Sequence, residues 1–248
     1  MANFSLTGPP RYAAVSPWPP LVALVAAVVA QAGLQLLGGV LGVLVGTWVL
    51  PEAFGEQRLL IGILFGLALS QVAVIALTWW AAGMFGGERR AVLQLDGPRP
   101  GVRDVIVALA GLVVLLGSYN LLIYFVWPNQ FMADAAQFLP MIENPHWPVT
   151  ALAIGIGAPI SEELLFRGFL ISALMKWGGG FWTAALVANV VWTTFHLGYS
   201  IAGLIEVFIG GLYMSWLLWR SGSIWLPIIA HAATNIGFLV FLAIYVIP

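Results

Sequence analysis

Apolar runs of bilayer-crossing length, broken by short turn and charge clusters, dominate this chain. They predict seven helices, at 21–50, 59–86, 105–127, 149–176, 181–199, 201–219 and 224–247. The first is about 45 Å long at 1.5 Å per residue and is expected to tilt or to break near Gly38-Gly39. The fold class is therefore all-α, a polytopic membrane helical bundle of about seven transmembrane helices, with eight possible. Residues 1–20 are rich in proline and polar residues, lack a signal-peptide pattern and read as a flexible tail. Residues 21–248 read as a single transmembrane helical domain, and the Pro-, Asn- and Trp-bearing segment 128–148 as an interfacial loop. Small residues recur every four positions at Gly38, Gly42 and Gly46, and again at Gly62 and Gly66. That spacing lets helices approach closely in lipid, within one chain or between two.

Composition agrees with the pattern. Of 248 residues 61% are hydrophobic and 8% charged, with a net charge of −1 and a mean hydropathy of +0.99. No large basic face exists for nucleic acid, and without cysteine there is no disulfide, thiolate nucleophile or Cys-ligated metal. Lys and Arg set the orientation. Arg11, Arg89, Arg90, Arg99, Arg103, Lys176 and Arg220 fall on one side of a seven-span arrangement, against Arg58 on the other and Arg167 within a span. A cytoplasmic N-terminus follows, in a multi-pass protein expected in the plasma membrane.

The chemistry is concentrated in the last hundred residues. Ionisable groups in lipid are costly and mark function more often than not. Glu163 and Arg167 are four apart on the fourth helix, acid first, and so form a neutralised pair on one face. That pair serves equally well as a scaffold. Glu162 lies about 100° round the helix and cannot easily share the same partner, which suits a general base. His196 is placed on the fifth helix and His231 on the seventh, with Asn235 one turn beyond His231 on the same face. Each histidine alone reads as a satisfied core residue, and Asn235 alone as an interhelical bond. Together His231 and Asn235 offer two donors to an oxyanion. From the nearest helix end on the charged side, Glu162, His196 and His231 lie at about 21, 24 and 16 Å, within one layer. Pro159 and Pro227 precede Glu162 and His231 and disturb the turns before them. Ser161 is positioned to cap a half-helix that begins at the glutamates. Glu206 reads as a structural hydrogen bond or a cavity-wall group, and Asn120, Asn189 and Gln71 as helix–helix contacts.

Glu162-Glu163-x-x-x-Arg167, Trp192-x-x-x-His196 and His231-x-x-x-Asn235 together resemble the CAAX prenyl protease and bacteriocin-processing family. These are the intramembrane glutamate endopeptidases, or ABI family. Its pattern is EExxxR, then FxxxH, then HxxxN or HxxxD, each on a separate span in that order. Here Trp192 stands where the family usually has Phe, and the resemblance covers roughly 150–240. It implies an active-site core at about 149–240 and an endopeptidase in which Glu162 activates water and His196 helps to hold it. His231 and Asn235 would stabilise the oxyanion, while Glu163 and Arg167 brace the site. Trp192 would be supporting. No cofactor is implied. The partners would be the bilayer and a peptide or membrane-protein substrate, lipidated or not. The alternatives are a non-proteolytic scaffold or immunity protein with the same fold, a zinc-dependent membrane hydrolase with His196, His231 and a glutamate as ligands, and a transporter.

Overall fold

The computed structural model describes residues 6, 8–13, 16–55, 57–143 and 145–245. Among them every regular element is a helix. Eight matter here: α1 Pro20–Val49, α2 Gln57–Ala82, α3 Val102–Val126, α4 Pro128–Ala136, α5 Trp147–Trp177, α6 Gly180–Thr194, α7 Ile201–Ser221 and α8 Trp225–Tyr245. All but α4 correspond to the runs read from the sequence. Six of them are long and apolar enough to cross a membrane. The chain is thus an integral membrane protein, an all-α polytopic bundle. The seventh, α6, has 15 residues, about 22 Å at 1.5 Å per residue, and so falls short of a full span.

Glycine spacing dictates how α1 and α2 pair. A Cβ on Gly38 would sit 2.5 Å from the Gly66 carbonyl oxygen, and one on Gly42 2.5 Å from that of Gly62. The two backbones therefore touch along the small-residue stripe, so the spacing is used within the chain. Helix α1 does not break at Gly38-Gly39; its last turn, Val45–Val49, widens to π-type instead.

Of the segment read as a flexible tail, residues 6, 8–13 and 16–20 are described; 1–5, 7, 14 and 15 lie outside the described residues. The described part packs. The Trp18 indole N–H donates to the Ala81 carbonyl at 2.8 Å, and Tyr12 shares a 3.0 Å hydrogen bond with Ser172. Burial pushes the Tyr12 phenol above its ordinary range, the bond to Ser172 opposing it. The segment read as an interfacial loop contains two short helices, α4 and Leu139–Ile142.

Helix α5 runs through the centre, and its backbone is irregular around the glutamates. Pro159 has no N–H for the carbonyl four residues back, and the preceding turn, Ala153–Gly157, opens to π-type. A second π-type stretch covers Glu163–Leu170. Irregular backbone in lipid needs outside partners. Gln71 of α2 donates to Ala153 O at 3.1 Å and Asn235 of α8 to Ile154 O at 2.8 Å. Ser161 does not cap a new helix: α5 continues through it, and its hydroxyl donates to Ala158 O at 3.0 Å.

Candidate active site within the bundle

Two neighbouring glutamates on α5 take different surroundings because successive helical residues point about 100° apart. Glu163 points inward and is fully buried. Its Oε1 accepts from Arg167 Nη1 at 3.1 Å and lies 2.8 Å from His231 Nδ1. Its Oε2 has no hydrogen-bond partner among the described residues. Arg167 is 1% exposed. It reaches Asn189 Oδ1 at 3.3 Å, and its guanidinium carbon stands 4.1 Å from the centre of the Trp192 ring. Asn189 in turn donates to the Phe208 carbonyl at 2.9 Å. The pair therefore ties α5 to α6, α7 and α8. Glycine at 211 permits this, because a Cβ there would come within 2.7 Å of Arg167 Nη2 and of the Trp192 ring.

Glu162 points the other way and is half-buried, against a cavity of about 260 Å³. Trp192, His196, His231 and Asn235 line the same cavity. Glu162 Oε2 accepts the Trp192 indole N–H at 2.6 Å. The Trp192 ring lies between the imidazoles, with centroids 4.9 Å from His196 and 5.7 Å from His231. Residues from α5, α6 and α8, far apart in the chain, thus meet round one indole. At about 30 Å³ per molecule in the liquid, the cavity has room for several waters.

The structure corrects one detail. His196 is not on a helix: α6 ends at Thr194, and His196 sits in the turn before Ser200 caps α7. Its Nδ1 lies 3.1 Å from the Trp192 carbonyl oxygen. One Asn235 N–H is spent on the Ile154 carbonyl, so this side chain also holds the π-type turn together. Asn120 bonds Glu206 across α3 and α7 at 2.5 Å, and Glu206 lies in the cavity wall.

Sequence reasoning missed Asp134 and Tyr199, which line the cavity. Asp134 accepts from the Ser200 backbone N–H at 2.7 Å and from its hydroxyl at 2.6 Å, anchoring α4 to the start of α7. No motif links positions 66 apart, so no sequence signal pointed to it. The Trp192 hydrogen bond was also missed, although the Phe-to-Trp difference was its visible trace.

Among the described residues, no group of three or more His, Cys, Asp or Glu side chains is placed to hold a metal ion.

Residues 144–237 match the family described as type II CAAX prenyl endopeptidase Rce1-like. A protein of Escherichia coli described as an uncharacterized 24.3 kDa protein is 35% identical over 94 residues, which is 37% of this chain and 43% of that one. The chain thus matches less than half the length of that curated relative. No solved structure matches the chain.

Proposed function

We propose that this chain, which matches the type II CAAX prenyl endopeptidase Rce1-like family over residues 144–237, is an intramembrane endopeptidase that uses Glu162 to activate water. The observation that carries the reading is the placement of Glu162, His196, His231 and Asn235 on one cavity inside the bundle. Glu162 removes a proton from a water held against His196, and the hydroxide adds to the scissile carbonyl carbon. The oxyanion accepts from the second N–H of Asn235 and, when both ring nitrogens of His231 carry protons, from the His231 N–H not given to Glu163. Such donors act in a site that needs no reorganisation as charge develops. The C–N bond then breaks, and Glu162 returns its proton to the leaving amine. Glu163 fixes the His231 ring through Nδ1, which turns the other ring nitrogen to the cavity. Arg167 neutralises Glu163.

The substrate is a peptide segment reached from the bilayer, lipidated or not. The bias of Lys and Arg supports a cytoplasmic N-terminus. No cofactor is needed for these steps. A zinc-dependent reading has less support, because among the described residues no three His, Cys, Asp or Glu side chains are grouped to hold a metal ion. Comparison of membrane peptidomes from cells with wild-type and Glu162→Gln protein tests the proposal. A peptide end present only with wild type is expected. Identical peptidomes would favour a non-proteolytic protein with the same fold. In Asn235→Ala the rate should drop about 10²–10³-fold, the usual cost of one oxyanion donor.

A further inference from the structure

A second cavity, of about 350 Å³, adjoins the first. The two share a wall made by Leu116, Asp134, Gly203, Glu206, Thr234 and Phe238. The mechanism above uses none of these. The outer cavity is mainly apolar, and its polar groups are mostly committed elsewhere. Tyr119 donates to the Ala202 carbonyl at 2.7 Å, and Gln130 accepts from the Ala202 N–H at 3.3 Å. Both Asp134 oxygens are taken by Ser200. The Thr234 hydroxyl donates within its own helix, to Ala230 O at 3.0 Å.

Glu206 differs from these. It lies inside a span on α7, half-buried, and its one hydrogen bond is accepted by Oε1 from the neutral amide of Asn120 at 2.5 Å. It has no ion pair among the described residues. A carboxylate kept in lipid at the junction of two cavities is costly unless a positive partner arrives. A lysine or arginine side chain meets that need, since its apolar stem suits an apolar wall and its head needs a counter-ion. Tyr119 and Phe238 add aromatic faces beside that head.

We propose that the outer cavity is a substrate subsite for a basic side chain, lysine or arginine, with Glu206 as its counter-ion. The inference rests on the endopeptidase reading, for which it names a substrate feature: a basic residue near the scissile bond. If Glu206 merely joined α3 to α7, a glutamine would do as well, because its carbonyl oxygen still accepts from Asn120. Glu206→Gln therefore keeps the bond and removes the charge.

The test uses the full chain carrying Glu162→Gln, in lipid nanodiscs, so that binding is read without turnover. The probes are fluorescent N-acylated decapeptides with one lysine, scanned along the sequence, and matched peptides with norleucine in its place. At one position lysine should bind about tenfold tighter or more, as expected of a charge-assisted bond. Adding Glu206→Gln should erase that preference. Equal binding of the lysine and norleucine peptides at every position, no binding at all, or a preference that survives Glu206→Gln overturns the subsite. Cleavage of the same peptides by wild type is scored separately. A lysine preference in binding with no cleavage would retain the subsite and refute the protease.

Discussion

Phenylalanine at position 192 would separate two things that one tryptophan does. The indole N–H donates to Glu162 Oε2 at 2.6 Å, while the ring face lies 4.1 Å from the Arg167 guanidinium carbon. Phenylalanine keeps an aromatic face for Arg167 and removes the donor. Trp192 is 5% exposed, so water does not readily replace the lost bond. A hydrogen bond to a charged group is worth about 1.5–3 kcal/mol, roughly 10- to 100-fold in rate if the bond holds Glu162 in its reactive position. Trp192→Phe should therefore lower kcat by that factor and leave KM little changed, because the group lost positions the base and does not bind substrate. The assay is steady-state cleavage in proteoliposomes, with thermal unfolding of the same preparation as a control. Stability should fall by no more than about 1.5–3 kcal/mol, below the ~3–5 kcal/mol typical of truncating a buried tryptophan to alanine. A folded Trp192→Phe protein with a wild-type kcat would mean that the indole N–H does not hold Glu162 in its reactive position.

Other expectations concern the frame behind the site. Arg167→Ala leaves the fully buried Glu163 without its cation, which should cost about 3–5 kcal/mol of stability; a change in unfolding free energy below about 1 kcal/mol would contradict a structural ion pair. Gly211→Ala drives a methyl into Asn189 Oδ1 and to 2.7 Å from both Arg167 Nη2 and the Trp192 ring, and overpacking of this kind costs about 1–3 kcal/mol or more. Its melting curve should shift down, whereas an unchanged curve would mean that α7 gives way freely. In Asn235→Ala the Ile154 carbonyl loses its partner, so the melting temperature should fall along with the rate; a fall in rate alone would confine Asn235 to catalysis.

The sequence made the helices legible because lipid imposes a crude rule: a span needs about 20 apolar residues. It made the motif residues legible because charge in lipid is rare. Glu163 and Arg167 announced their pairing by a spacing of four. The remainder depended on tertiary geometry. No local pattern says that Pro159 opens a π-type turn whose carbonyls are met by Gln71 and Asn235. The end of α6 at Thr194 was hidden because Phe195 and Leu197 continue the apolar run. Asp134 escaped notice because its partner, Ser200, is brought near only by the docking of α4 on α7. Trp192 was visible as an aromatic, but its N–H acquired meaning only when Glu162 was found beside it.

Hydrolysis by water activated at Glu162 can be tested with purified protein in proteoliposomes made in heavy-oxygen water. Wild type should release a product whose new carboxyl terminus carries one heavy oxygen atom, and Glu162→Gln protein with an unchanged melting curve should release none. Product formed by Glu162→Gln at the wild-type rate, or a new terminus without the label, would contradict the account.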